Sequence, residues 1–139
     1  MYRTRRHNKQ YEKQKKSTNV CPFCDPSEID YRLIEQTDHT YVIPNKHPYD
    51  VWEHHRVLDN LMVIPKRHVA HLGDLTDEEL IDVMRVVARY EEAGYNIYAR
   101  TSGSARRSQV HQHTNLIKIN NREPKVSLVI RKPYFLIQF

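Results

Sequence analysis

The chain has 139 residues and a net charge of +5, with 39% hydrophobic and 28% charged residues. This length suits one ordinary domain, and the composition, although polar, does not reach that of a disordered chain. The charge is concentrated at one end: residues 1–16 hold seven basic residues against one acidic residue, or +6, which leaves −1 for the remainder. The high net charge therefore does not indicate a folded nucleic-acid-binding surface.

The basic N-terminal segment has no apolar periodicity. We predict that residues 1–18 form a flexible, disordered tail ahead of one domain over residues 19–139. The simplest role for such a tail is to solubilise the protein, and the alternative is a weak contact with RNA, DNA or an acidic partner. The absence of an 18-residue apolar run predicts no membrane span, and no apolar signal region is seen near the N terminus. A cytoplasmic protein is the resulting expectation.

Strand-like patterns surround one clear helix. The predicted strands cover residues 31–35, 40–43, 61–64, 96–100, 110–119, 127–131 and 134–138. The first two are expected to pair as a hairpin, and Pro65 ends the third. Because most strands follow one another directly, the pattern predicts an α+β fold with an antiparallel sheet and one long helix.

The helix carries a complete start signal. Thr76 is the expected N-cap, and Glu79 stands three residues later as its capping-box partner. Gly94 is a plausible stop, so the helix should cover about residues 77–93. Its predicted core-facing residues repeat at helical spacing: Leu80, Met84, Val87 and Tyr90.

Two further patterns concern chemistry. In a strand, residues two apart share a face, so His111, His113 and Asn115 are predicted to point the same way. A His-x-His pair alone is also compatible with a surface or hydrogen-bonded pair. The Cys21-Pro22-Phe23-Cys24 segment adds two thiols, and two thiolates with two distant imidazoles would make a tetrahedral, uncharged zinc site. Such a site would add directly to the folding free energy of a small polar domain.

Five motifs occur in an order that resembles the histidine-triad (HIT) superfamily. They are Cys-x-x-Cys, Asn45-Lys46-His47-Pro48-Tyr49, Leu61-Met62-Val63-Ile64-Pro65-Lys66-Arg67-His68, Asp74-Leu75-Thr76-Asp77-Glu78-Glu79 and His111-Gln112-His113-Thr114-Asn115. Each motif is weak alone, but together they span about residues 21–117. The resemblance implies an enzyme that moves nucleoside monophosphate groups through a covalent histidine intermediate, and it also implies a homodimer.

The resemblance assigns roles to individual residues. It implies a structural Zn²⁺ held by four ligands, Cys21, Cys24, His68 and His111. It makes His113 the nucleophile, with Ser108 contacting the phosphate and Asn45 near the nucleotide. Chemistry supports this choice of nucleophile, because a metal-bound His111 has no free lone pair, whereas a neutral imidazole at His113 does.

Asn115 replaces the third histidine of the triad. An amide at this position is typical of the branch that includes galactose-1-phosphate uridylyltransferase and the dinucleoside polyphosphate phosphorylases. Asn115 can still donate to a phosphate oxygen, so we assign it a catalytic and nucleotide-binding role. Arg107 is predicted to add positive charge for a polyphosphate, and the alternative is a solvated loop arginine.

The sequence therefore predicts a nucleotidyl hydrolase or transferase acting on dinucleoside polyphosphates or nucleoside phosphoramidates. The first alternative is a non-catalytic nucleotide-binding module of the same fold, with Asn115 marking a weakened site. The second is a thiol redox protein using Cys21 and Cys24, although residues 25–28 are turn-like and acidic instead of opening a long helix. A zinc module that binds nucleic acid through its basic tail is the third.

Overall fold

The computed structural model describes residues 3, 6, 8–10, 20–105, 107–122, 127–131 and 134–138. Most of the predicted tail lies outside these residues, so its flexibility and its contact with nucleic acid stay predictions. Among the described residues, none of the helices combines the length and the apolar character that a membrane crossing requires.

An antiparallel sheet with one long helix forms the fold, as the sequence predicts. The helices are α1 (Pro26–Asp30) and α2 (Asp77–Glu92), with a short 3-10 turn at Leu72–Asp74. The strands are β1 (Glu35–Gln36), β2 (Thr40–Pro44), β3 (Val51–Trp52), β4 (His55–Pro65), β5 (Asn96–Ala99), β6 (Thr114–Ile119), β7 (Ser127–Arg131) and β8 (Tyr134–Gln138). The main sheet has the order β1-β2-β4-β6-β5, with β3 paired to the start of β4, and β7 and β8 form a separate pair.

The central strand β4 divides the core into two layers. Its side chains alternate between faces, so Leu61 and Val63 pack with α2, whereas Met62 and Ile64 pack with Phe23 on the opposite face. An uninterrupted apolar run is what a strand buried on both faces requires. The functional residues described below lie on the face opposite α2.

Helix α2 begins and ends as predicted. The Thr76 hydroxyl accepts from the Glu79 N–H, and the Glu79 carboxylate accepts from the Thr76 N–H, which completes the capping box. Gly94 follows the helix with a φ of 86°, a conformation that glycine adopts without steric cost. The prediction was wrong for Met84, which is 49% exposed. The buried residues of this helix are Val83, Val86 and Val87.

Three strand predictions need correction. Residues 31–34 form turns and an irregular segment, so β1 has only two residues and the predicted hairpin is short. Strand β4 starts six residues earlier than expected, because its first residues pair with β3 across a tight turn. Glu53 and His54 form that turn with φ values of 46° and 67°, the left-handed conformation that two-residue hairpins use. Strand β6 begins only at Thr114, so the predicted strand over residues 110–119 is four residues too long.

One carboxylate ties α2 to the turn between β1 and β2. Asp82 accepts from the hydroxyls of Thr37 at 2.5 Å and Thr40 at 2.7 Å, and from the His39 N–H at 3.2 Å. Burial alone would raise the pKa of Asp82, but the three donors outweigh burial and hold that pKa below its usual range. The stabilisation is therefore present at neutral pH and is lost as the pH falls through the lowered pKa.

Replacing Asp82 by alanine is expected to lower the free energy of unfolding by about 2–3 kcal/mol, because the fully buried Thr40 hydroxyl loses its acceptor. Chemical denaturation at pH 7 measures the change. Glu78→Ala, at an exposed position on the same helix, is the matched control and should cost less than about 1 kcal/mol. Equal effects of the two substitutions would contradict a special role for Asp82.

Candidate active site and metal site

Four side chains from three distant parts of the chain meet beside the sheet. The potential ligand atoms of Cys21, Cys24, His68 and His111 all lie within 4.8 Å of one another. The sulfur of Cys24 lies 3.1 Å from Nδ1 of His68 and 3.4 Å from Nδ1 of His111, and the Cys21 sulfur lies 3.5 Å from the same His111 nitrogen. The predicted ligand set is therefore one compact cluster.

The donor set suits a zinc ion. Two sulfurs and two imidazole nitrogens are the ligands of a closed tetrahedral site. The other ring nitrogen of His111, Nε2, lies 2.8 Å from the Pro65 carbonyl oxygen, which can only accept. Nε2 therefore carries the proton, and Nδ1 keeps its lone pair toward the cysteines. His111 is fully buried, and this burial lowers its pKa and so favours the neutral ring that a metal needs.

The same geometry weighs against a redox pair. Helix α1 has five residues and starts at Pro26, after both cysteines, so neither thiol stands at its first turn. Although the Cys24 side chain reaches the surface, desolvation of its sulfur and the neighbouring Cys21 raise the pKa of the Cys24 thiol to about 11. A redox-active cysteine needs the opposite shift.

His113 lies next to this cluster and lines a pocket on the same side of the sheet. Its Nδ1 lies 3.0 Å from the His111 carbonyl oxygen, which fixes the proton on Nδ1 and leaves the lone pair on Nε2. The Phe23 ring packs against both His111 and His113, with centroid distances of 5.8 and 5.4 Å. Burial lowers the pKa of His113, and the charges of Arg107 and Arg100 lower it further, so the neutral ring is favoured.

The pocket collects most of the predicted nucleotide-binding residues. Its lining residues are Arg3, Pro22, Phe23, Arg32, Asn45, Lys46, His47, Tyr49, Met62, Arg100, Arg107, Ser108, Gln109, His113 and Asn115. The four ligand residues of the metal cluster are not among them. Ser108, Asn115 and Asn45 thus share one cavity with His113, although their functional roles stay predictions.

Arg107 lines the pocket, but its guanidinium forms hydrogen bonds mainly with nearby loop residues. Its guanidinium donates to the carbonyl oxygens of Arg100, Ala70, Gln109 and Val110, and to the Gln112 side chain. Burial lowers the pKa of Arg107. These contacts hold the segment that leads to His111 and His113, so Arg107 supplies positive charge to the pocket while its hydrogen bonds serve the loop.

Two residues at or beside the pocket were not predicted: Arg3 lines it, and Asn60 contacts two of its lining residues, Asn45 and Asn115. Asn60 begins the buried part of β4. The only sign of it in the sequence is an amide directly before the apolar run of that strand. Arg3 belongs to the predicted tail, yet its Nε donates to the His47 carbonyl oxygen at 2.8 Å and its guanidinium lies 4.3 Å from the Tyr49 ring centroid. At least one residue of the predicted tail therefore contacts the rim of the pocket.

Replacing Arg3 by alanine is expected to raise the KM for an anionic nucleotide roughly three- to tenfold with kcat nearly unchanged, because a partly desolvated cation contributes about 1 kcal/mol to binding. Steady-state kinetics measures both constants. Arg6→Ala, an exposed basic residue of the same segment that does not line the pocket, is the control. Equal effects of the two variants would show that only the net charge of the segment matters.

Several solved structures that share this fold are named as histidine-triad proteins. Solved structures with the same fold include a histidine triad nucleotide-binding protein from Candida albicans (TM-score 0.58, 24% identity, 73% of this chain and 76% of that chain). A HIT family hydrolase from Clostridium thermocellum matches with a TM-score of 0.56 and 20% identity over 78% of this chain and 98% of that chain. A hypothetical histidine triad nucleotide-binding protein from Sulfolobus tokodaii has a TM-score of 0.59 and 20% identity over 76% and 73% of the two chains.

Sequence comparison places the chain within this class. It is 32% identical over 121 residues to the adenosine 5'-monophosphoramidase HNT1 of Saccharomyces cerevisiae, covering 82% of this chain and 70% of that protein. No family model matches the sequence. The chain belongs to the histidine-triad superfamily.

Proposed function

We propose that this protein is a nucleotidyl hydrolase or transferase that acts on nucleoside phosphates through a covalent intermediate on His113. The observation that carries the proposal is the hydrogen bond from His113 Nδ1 to the His111 carbonyl, which leaves Nε2 with a lone pair in a pocket. The similar yeast protein is named an adenosine 5'-monophosphoramidase, and one structural neighbour is named a HIT family hydrolase. Both names agree with a nucleotide-cleaving enzyme.

The proposed reaction has two displacements at the α-phosphorus. In the first, the Nε2 lone pair of His113 forms a bond to phosphorus while the leaving group departs with its bonding electrons. In the second, an acceptor oxygen attacks the same phosphorus, and the electron pair of the N–P bond returns to Nε2. When the acceptor is water, its proton passes to the solvent. Ser108 and Asn115 line the same pocket and are assigned to the phosphate oxygens, where each hydrogen bond made in the transition state lowers the barrier.

We further propose that Cys21, Cys24, His68 and His111 hold a structural Zn²⁺. A bound ion would cross-link the Cys-x-x-Cys loop to the segments carrying the two histidines, and so stabilise the fold. Because His111 would be a ligand and its carbonyl accepts from His113, the ligand cluster also fixes the position of the nucleophile.

The charge of the pocket supports an anionic substrate. Its described lining contains five basic side chains and no aspartate or glutamate: Arg3, Arg32, Lys46, Arg100 and Arg107. One carboxylate outside the lining offsets one of these charges, because Arg32 and Lys46 both lie within 3.4 Å of Glu28. The remaining positive charge favours a phosphate ester or anhydride.

We also propose a homodimer. Strand β5 pairs with β6 and, within the described part of the chain, with no other strand, so its outer edge is open to a second copy. Three apolar side chains on β5 and α2 are about half exposed: Ile81, Met84 and Ile97. Sedimentation equilibrium should give twice the monomer mass, and Ile97→Lys should shift the protein toward the monomer.

A product screen tests the catalytic proposal. The full-length protein is incubated with dinucleoside polyphosphates and nucleoside phosphoramidates, with and without inorganic phosphate, and the products are separated by chromatography. Release of a nucleoside monophosphate indicates water as the acceptor, and a nucleoside diphosphate that appears only with phosphate indicates a phosphorylase. Tight nucleotide binding without turnover of any substrate would instead favour the non-catalytic module.

A further inference from the structure

Three asparagines form a hydrogen-bonded cluster on the pocket side of the sheet. Asn60 on β4 and Asn115 on β6 are only 4% and 5% exposed, and Asn45 follows the end of β2. The Asn45 amide nitrogen donates to Oδ1 of Asn60 at 3.0 Å and to Oδ1 of Asn115 at 3.1 Å. Buried amides in mutual contact hold one another in a single orientation, so the cluster determines what Asn115 presents to a substrate.

Backbone atoms determine the orientation of the first amide. The Asn60 nitrogen Nδ2 lies 3.2 Å from the carbonyl oxygens of both Leu61 and Leu116. Carbonyl oxygens only accept, so this end of the amide must be the NH₂ group. Its oxygen therefore faces Asn45 and the Tyr49 N–H.

The second amide follows in the same way. The Asn45 oxygen accepts from the backbone N–H of His47 at 2.9 Å, which places its NH₂ group toward Asn60 and Asn115. The atom of Asn115 that receives this NH₂ group, and that also lies 3.5 Å from Nδ2 of Asn60, must be an acceptor. The oxygen of Asn115 is thus turned into the cluster, and its NH₂ group is turned away from it.

The Asn115 NH₂ group is directed to the pocket. No hydrogen bond from this NH₂ group is found within the described residues, yet none of their buried side-chain nitrogen or oxygen atoms lacks a partner. The nitrogen must therefore be open to the cavity that Asn115 lines together with His113. An NH₂ group at this position can donate to an anionic oxygen but has no proton to transfer at neutral pH.

The orientation of the Asn115 amide affects which leaving groups can depart in the reaction proposed above. This inference rests on that proposed function. When the His113 lone pair bonds to phosphorus, the bonding electrons pass to the leaving atom. A phosphate oxygen keeps them as a stable anion, which an N–H donor stabilises further. An alkylamine nitrogen departs only if it gains a proton, for which a general acid is worth about 10²–10⁴-fold in rate.

We propose that the asparagine cluster makes Asn115 a fixed, neutral hydrogen-bond donor, and that the site therefore selects leaving groups that depart as anions, such as phosphates and polyphosphates, over amines. Asn60 is then a positioning residue that acts through Asn115. Besides the arginines and His113 itself, the described lining holds three side chains that can transfer a proton, Lys46, His47 and Tyr49, and Lys46 lies 3.3 Å from the Glu28 carboxylate. The substrate comparison below measures whether any of them protonates an amine.

The test compares three substrates with the wild-type, full-length protein, each prepared in an adenosine and a uridine series. Each substrate is a nucleoside monophosphate joined to a different leaving group. The leaving group is a nucleoside diphosphate in the anhydride, 4-nitrophenolate in the ester and butylamine in the butylamide. The first two should be cleaved with a kcat/KM at least about 100-fold above that of the butylamide, because neither needs a proton. A smaller ratio for either substrate overturns the proposal. Failure of all three in both series would refute the proposed function itself.

Two variants test separately that Asn115 sets the leaving-group preference and that Asn60 positions Asn115. Asn115→His introduces a protonatable ring, and it should narrow the ratio of anhydride to butylamide at least about tenfold through faster butylamide cleavage. An unchanged ratio would show that position 115 does not set the preference.

Asn60→Leu keeps the branched shape of the side chain but removes its hydrogen bonds. It should lower kcat for the anhydride about tenfold with KM within about twofold, because the Asn115 amide loses its fixed orientation. Asn120→Leu is the matched control. It also removes an amide whose oxygen accepts from the backbone of another strand, at the Arg56 N–H, but Asn120 does not line the pocket. A folded Asn60→Leu protein with the kcat of this control would overturn the positioning role. If the variant does not fold, the substrate panel and Asn115→His still decide the proposal.

Discussion

Replacing His113 by alanine is expected to reduce turnover of every nucleotide substrate by about 10⁴-fold or more, because the reaction loses its nucleophile. Zinc content should stay unchanged, since His113 is not among the four clustered ligand residues. Steady-state assays and metal analysis of the purified variant measure the two effects. Wild-type turnover in the variant would show that the catalytic assignment is wrong.

Two further observations distinguish a nucleophile from a residue that only shapes the pocket. Brief incubation of the wild-type protein with labelled substrate should trap a nucleotidyl group that is labile in acid and stable in base, as a phosphoramidate is, and the variant should trap none. His55→Ala is the matched control, because this histidine contacts Arg122 and does not line the pocket. Its turnover and adduct yield should match those of the wild type.

Replacing Cys24 by serine is expected to lower the thermal midpoint by roughly 10 °C or more and to reduce bound zinc together with it, because metal binding contributes directly to folding free energy. Cys24 is exposed and packs little apolar surface, so a large effect cannot come from the core. Differential scanning calorimetry and metal analysis measure the result. Replacement of the half-buried Cys21 would be harder to interpret, since it packs against the cluster around Phe23.

A chelator provides the control for this prediction. If Cys24 acts through the metal, chelation should lower the midpoint of the wild-type protein to that of the variant and leave the variant unchanged. A variant that chelation destabilises as much as the wild type would refute the ligand role. A native disulfide between Cys21 and Cys24 would refute it as well and revive the redox alternative.

Local signals in the sequence were sufficient for the long helix and the fold class. Thr76, Glu79 and Gly94 act through contacts within a few residues, so the start and end of α2 could be predicted closely. The core-facing stripe was predicted less well, because Met84 and Val83 are equally compatible with helical spacing. Which of them is buried depends on how the helix is rotated on the sheet, and that rotation is a property of the packed core.

In the candidate site, too, some features could be predicted from the sequence and others depend on the tertiary structure. Residue types and motif order were sufficient to nominate Cys21, Cys24, His68 and His111 as one cluster, because a metal site requires a recognisable ligand set. The structure brings them together, but the predicted strand over His111 and His113 was not found there. These histidines precede β6, and their placement comes from the carbonyl of Pro65 and the carbonyls that bind Arg107.

The sequence by itself determined the fold class, the long helix and the chemically distinctive residues, since each is encoded by local spacing or by residue type. Only the tertiary structure decided which partners Arg3, Asn60 and Asn115 contact. An arginine in a basic tail and an asparagine in a strand have no fixed partner in the sequence. The contacts join residues that are far apart in the sequence: Arg3 and His47 are 44 residues apart, and Asn45 and Asn115 are 70 residues apart. Such contacts exist only after the sheet and its loops have assembled, because hydrogen-bond orientation depends on every neighbour of a buried amide at once.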